Sequence, residues 1–399
     1  MKKPGFLSVI VAAMTFASAL YFYSPEYASG LTGFGGIDTH MHLFSISGKR
    51  QDHNPNRGGS GSFRSPHTKT SSFTRTKQPP SLLRPSNAPE EEGYTNAVGP
   101  LLKLMDKRNV AKAMVMPPPQ YRGQPGAYDY KALLPAIQAG GGRLLLVAGG
   151  GSLNPLIMGT NADKVAPQDI ETFKKKAELI IKSGAVAFGE MTALHVCMSE
   201  RHHYMAAPPD HPLFLLLADI AASNGMPIDL HMEAVTEKMA TPQKLLEACS
   251  KNPHTLPPTI PGLERLLQHN RNAIFVWQHI GWDNTGHMTT ELLNRLLHEH
   301  PNLFLSIRVL GWQQTRLEGR FRNTITNPQG RIRPEWKQLL SDHPGRFMVG
   351  GDAFVGETGF KNKSSESFKE SWRAINNLLE PARSKVSWKT AEQVYKVHK

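Results

Sequence analysis

Cysteine is scarce. The 399 residues hold two, Cys197 and Cys249. Two cysteines exclude the disulfide framework that staples small secreted domains, and neither has zinc-site spacing. In an oxidising compartment they can pair; the alternative is two separate buried thiols. Long apolar runs are scarce as well. One stands at the start, Phe6 to Leu20, interrupted by Ser8, Thr15 and Ser18. It is shorter than the ~20 residues of a spanning helix. No second run approaches that length. Acid is in deficit, with 33 Asp and Glu against 46 Lys and Arg, so the formal net charge is +13.

The charge excess is uneven. From Gly48 to Arg84 there are Lys49, Arg50, Arg57, Arg64, Lys69, Arg75, Lys77 and Arg84, opposed there by Asp52 alone. Residues 49–93 also carry Gly58-Gly59-Ser60-Gly61-Ser62 and Pro79-Pro80, with few aliphatics and no period. This composition predicts a long disordered basic insertion, since it cannot bury enough apolar surface to order itself. A solvated loop is its plain reading; a polyanion-binding arm is the sharper one.

The first twenty residues have the layout of an export signal. Lys2 and Lys3 precede the apolar run, and Ala17-Ser18-Ala19 is an A-x-A-like cleavage site. The expectation is an exported chain, periplasmic or secreted, with no stable membrane span after cleavage.

Beyond residue 93, short β-rich runs alternate with helical patterns. Strands are predicted at Gly36 to His42, Ala113 to Met116, Leu144 to Ala148, Ala185 to Glu190, Pro227 to His231, Ala273 to His279, Leu303 to Ile307 and Phe347 to Asp352. Each is followed by a helical pattern, and a further helix is predicted at Trp388 to Val397. Eight strand-helix pairs predict an α/β fold, a (β/α)8 TIM barrel, with the insertion after its first strand. An open doubly wound sheet is the architectural alternative.

Chemistry-bearing side chains fall at the ends of these strands. His40 and His42 stand two apart, so on a strand they share a face. Glu190, His231, His279 and Asp352 end strands four, five, six and eight. Any one of them has an innocent reading, such as a helix cap. Together they sit where barrel enzymes keep their active sites, and imidazoles with carboxylates suit divalent metals. Arg308, after strand seven, can grip a carboxylate or phosphate, or else pair with a loop acid. Trp282 lines a pocket or packs a loop. His195 is a further loop histidine that can face the site.

The segments Gly36-Ile37-Asp38-Thr39-His40-Met41-His42, Arg346-Phe347-Met348-Val349-Gly350-Gly351-Asp352 and Ala391-Glu392-Gln393-Val394-Tyr395 resemble the opening, eighth-strand and closing-helix motifs of the amidohydrolase superfamily. The nearer likeness is to its amidohydrolase-related branch, which contains aminocarboxymuconate-semialdehyde decarboxylase. The resemblance spans about residues 36–398 apart from the insertion. It implies a divalent metal held by His40 and His42, with zinc the default and manganese or iron as alternatives. It implies that His231 is a further ligand or the ligand of a second metal. His279 would bind that second metal or polarise the substrate. Asp352 would ligate metal and accept a proton. One departure stands out: where many members carry a bridging carboxylated Lys, this chain has Glu190. It either bridges two metals or is a buried carboxylate bonded to a neighbouring His.

The leading expectation is therefore an enzyme, a metal-dependent hydrolase acting on an amide, lactone or other ester through a metal-activated water. Non-oxidative decarboxylation of a carboxylated substrate is the alternative within the same branch. A barrel that binds polyanions without catalysis is the alternative outside it. The expected partner is a small molecule, and an anionic one is compatible with Arg308. Nothing points to specific nucleic-acid recognition. Substrate and oligomeric state are not legible.

Overall fold

The computed structural model describes residues 35–45, 93–124, 127–199, 202–311, 322–356 and 365–397. The expected signal at 1–20 lies outside these residues, as does the basic insertion from residue 49 to 92.

Eight parallel strands carry the fold: β1 (Gly36–Leu43), β2 (Val110–Val115), β3 (Leu144–Gly149), β4 (Ala187–His195), β5 (Ile228–Met232), β6 (Phe275–Ile280), β7 (Leu303–Ile307) and β8 (Phe347–Val349). Each pairs with the next, and β8 pairs back to β1 through Asp38 and Val349, so the sheet closes. A three-residue strand, Ala353–Val355, continues beside the end of β1. The closed parallel order is that of the (β/α)8 barrel, and it excludes the open sheet.

The strands read as near-continuous apolar runs because both of their faces are covered. Ile37, Met114, Val147, Ala187, Val276, Phe304 and Met348 form one buried cluster with Ala391, Val394 and Tyr395 of the chain's last helix (Thr390–Tyr395). A larger cluster joins strand residues such as Met41, Leu146, Phe188 and Leu305 to the surrounding helices. The helix Thr290–Glu299 is typical of that layer. Thr289 caps it by accepting from Leu292 N, and it buries Leu293, Leu296 and Leu297. The helix Pro212–Asn224 starts on proline and ends at Gly225, whose φ of 60° suits glycine.

Two differences from the sequence reading bear on the site. The fourth strand does not stop at Glu190. It runs on to His195, because Met191–Leu194 stay buried and the extension gains a partner in Met205–Ala206. The eighth strand stops earlier than Asp352, at Val349, because Gly350 and Gly351 turn the chain at the barrel mouth. Cys197 and Cys249 are joined as a disulfide. It ties the chain just beyond β4 to the end of the short helix Gln243–Ala248, which the sequence reading missed.

Candidate metal centre

Three of the strands that carry the expected ligands break register at the ligand. Between Asp38 and Met41, β1 uses three residues where β2 uses two. Between Phe188 and Met191, β4 does the same against β5. Between Trp277 and Ile280, β6 does so against β7. Each irregularity adds one residue and re-aims the side chain beside it, as bulges do near active sites. His40, Glu190 and His279 are those side chains. His279 and Asp352 also sit at positive φ, 62° and 46°. A non-glycine residue held there costs on the order of 1 kcal/mol and persists only where the surroundings fix it.

The opening motif shows how that fixing works. Asp38 is not among the clustered donors. Its carboxylate accepts from His40 N at 3.1 Å, Gly351 N at 3.0 Å and Trp372 Nε1 at 2.8 Å. It thereby ties β1, the turn after β8 and the outer helix Glu366–Asn376 together. Asp352 N in turn donates to His40 O at 2.9 Å. Glycine is required at the turn for space. A Cβ on Gly351 would lie 2.9 Å from Asp38 Oδ2, and one on Gly350 would crowd Ser306 Oγ and His40 Cβ.

The six expected donors converge. His40 Nε2 and His42 Nε2 are 3.0 Å apart. Glu190 Oε2 is 3.4 Å from the first and 3.5 Å from the second. Asp352 Oδ1 lies 3.7 Å from His40 Nε2 and 3.3 Å from His42 Nε2. A tetrahedron with metal-to-donor bonds of 2.0–2.1 Å has edges of about 3.4 Å, and these separations scatter around that length. The other oxygen of the same carboxylate faces another pair. Glu190 Oε1 is 2.7 Å from His231 Nδ1 and 3.0 Å from His279 Nε2. One carboxylate therefore spans two pairs of imidazole nitrogens.

The donor set fits a divalent ion chemically. His42 Nδ1 donates to Met116 O at 2.9 Å, which leaves the Nε2 lone pair facing inward, the usual outer support of a ligating histidine. His40, His42, Glu190, His279 and Asp352 are buried, and His231 is partly exposed. Burial raises Glu190, but His40, His231 and His279 overcome it and hold the carboxyl well below its usual range. Burial likewise opposes ionisation of Asp352, and Arg308 followed by His279 overcomes it. Burial pushes the His279 imidazole down to about 3, the neutral form a ligand needs. A separate acid–histidine group, Glu264, Glu299 and His300, already holds its own cation: Arg295 Nη1 lies 2.5 Å from Glu264 and 2.7 Å from Glu299.

Arg308 and Trp282 are brought to the rim, but in contact with each other. The guanidinium carbon stands 4.0 Å from the indole centroid, a cation–π distance. Arg308 Nη1 is 2.6 Å from Asp352 Oδ2. The acid it meets is thus the expected metal ligand, in the turn that follows β8. His195, at the end of the lengthened β4, packs its ring 4.9 Å from that of His231 and contacts His203 O through Nδ1 at 2.8 Å. Burial, then His231 and His202, push its imidazole down to about 3.

A cleft of about 330 Å³, its open mouth included, lies against His231 and His279. His195, Trp282, Glu233 and Asn284 line it, with Met198, Met232 and Met288. Sequence reasoning passed over Glu233 and Asn284. Glu233 was within reach, because it stands two residues beyond His231 and so on the same face. Asn284 carried no signal.

No family model and no curated protein matches the chain. Among solved structures it is similar to a "probable 2-pyrone-4,6-dicarboxylic acid hydrolase" from Acinetobacter baumannii, at 12% identity and a TM-score of 0.46, over 91% of this chain and 99% of that one. It is similar to a 4-oxalomesaconate hydratase from Rhodopseudomonas palustris, at 13% identity and 0.45, over 80% and 86%. It is also similar to a 2,6-dihydroxybenzoate decarboxylase, at 12% identity and 0.40, over 74% and 87%.

Proposed function

We propose that the chain is a metal-dependent hydrolase that cleaves an amide, lactone or other ester. The observation that carries this reading is the position of Glu190, whose two oxygens face two separate histidine pairs. His40, His42, Asp352 and Glu190 Oε2 would hold one divalent ion. Glu190 Oε1, His231 and His279 would hold a second. Zinc is the default for such nitrogen and oxygen donors. When bound, such ions supply water with a pKa near 7 and polarise a carbonyl.

The chain's own residues do the rest. The outer contacts of His42 and Asp38 fix the donors before any ion arrives. The cleft beside His231 and His279 receives the substrate and bounds its access to water. Asp352, whose Oδ1 lies 3.3 Å from His42 Nε2, is the candidate proton acceptor. Arg308 holds its Oδ2, so Asp352 accepts a proton only as that contact loosens. Hydrolysis is favoured over single-ion decarboxylation because Glu190 stands between the two donor pairs. An exported location goes with this reading, and the Cys197–Cys249 disulfide supports an oxidising compartment.

The test is a screen of zinc-reconstituted protein over lactones, amides, esters and aromatic carboxylates. Hydrolysis abolished by chelator and by His40→Ala is expected. Release of carbon dioxide from a carboxylate with no hydrolysis of any class would overturn the reading.

A further inference from the structure

The cleft beside the second histidine pair carries its own sign of charge. Glu233 is its one carboxylate among the described lining residues, and none of those residues is Lys or Arg. Arg308, the nearby cation, is engaged by Asp352 and stacked on Trp282. Glu233 itself is buried, with 6% of its surface exposed. Its hydrogen bonds come from a neutral residue. Asn284 Nδ2 donates to Oε1 at 2.7 Å. Asn284 is oriented in turn by Trp282 Nε1, which donates to its Oδ1 at 2.9 Å. The rotor is therefore set, and the carboxylate has a fixed direction without a cation of its own.

The strand places this carboxylate relative to the proposed metal. Glu233 N continues the pairing of β5 with β4, bonding Leu194 O at 3.1 Å. Glu233 stands two positions beyond His231 in extended chain, a rise of roughly 6.6 Å. Both side chains line the cleft. A buried carboxylate with neutral partners is stabilised most by a charged donor.

We propose that Glu233, held by Asn284, is the specificity residue of this cleft and selects substrates that carry an ammonium group a few bonds from the cleaved carbonyl. The proposal rests on the metal-hydrolase reading and narrows it to amino-acyl compounds. The carboxylate accepts hydrogen bonds from the ammonium, while the three methionines of the wall pack the intervening methylenes. Carboxylated substrates, by the same logic, meet a like charge at this point and are disfavoured.

The experiment uses zinc-loaded full-length chain and hydroxamic acids, which chelate divalent ions. Affinities are measured by calorimetry for ω-aminoalkyl hydroxamates and for alkyl hydroxamates of the same length. The expected result is a preference for the amino series of about ten-fold or more at its best spacing. Glu233→Gln should bring the ratio close to one. Glu233→Asp, with its shorter side chain, should keep a preference but shift the best ligand to one methylene longer. A thermal melt of each variant reports whether it is folded. Equal binding of the two series by the native chain, or an unchanged ratio in folded Glu233→Gln, would overturn the proposal. A chain that takes up no zinc and binds neither series would instead remove the metal reading and this inference with it.

Discussion

Arg308 Nη1 lies 2.6 Å from Oδ2 of Asp352, while Oδ1 of the same carboxylate lies 3.3 Å from His42 Nε2. The carboxylate therefore faces a permanent cation on one side and the ligand nitrogens on the other. In the absence of a metal ion the guanidinium is the charge that keeps Asp352 compensated in its buried position. An ion bound at the other oxygen would share that task.

Arg308→Met accordingly has a stability effect that depends on metal. It leaves a buried carboxylate without its partner, which typically costs about 3–5 kcal/mol. The full loss is expected in chelator and a clearly smaller one with zinc. Thermal melts of both proteins in both conditions measure this. An equal loss with and without zinc would show that Asp352 does not face an ion.

The disulfide makes a separate prediction. Cys197 and Cys249 are 52 residues apart in sequence. Closing a loop of that length is worth ~4 kcal/mol in the chain-entropy model. Cys197→Ser or reduction should lower the melting temperature markedly while leaving metal uptake intact, because no ligand lies between the two cysteines except His231, which β5 holds. Loss of metal on reduction would mean that the cleft wall also sets ligand geometry.

The barrel interior supplies a pH effect. Burial pushes Asp229 up to about 8, against an unfolded value of 3.8, although Tyr395 OH donates to its Oδ1 at 2.5 Å. An acid whose pKa is raised on folding holds more protons folded than unfolded between these values. Stability therefore falls as pH rises from about 4 to about 8. Asp229→Asn removes that slope. The variant should gain on the native chain as pH rises and show its largest advantage near pH 8, read from denaturant unfolding at several pH values. A constant difference across that range would show that Asp229 does not titrate there.

Much of this architecture was legible beforehand. The apolar strand runs, the helical patterns between them and their order predict eight pairs and hence the barrel. The clustering of His40, His42, Glu190, His231, His279 and Asp352 followed from strand ends, because a barrel brings such ends to one rim. Other features were hidden because they depend on partners distant in sequence. The bulges at His40, Glu190 and His279 appear only when one strand's count is set against its neighbour's. Asp38 stands in the most recognisable motif, yet its role comes from Trp372 and Gly351, more than 300 residues away. Arg308 could be placed at the mouth from its strand, but which acid it meets is decided by the turn at Gly350 and Gly351. Asn284 gains meaning only from the cleft in which it orients Glu233.

The most direct measurement is the metal content of the purified full-length chain after supplementation with zinc, by mass spectrometry, alongside single-ligand variants. Two equivalents per chain are expected in the native protein. His231→Ala should retain about one, and Glu190→Ala should lose most of both, since both ions share that carboxylate. Native protein that binds no divalent metal, or a Glu190→Ala variant that retains its full complement, would contradict a centre built across Glu190.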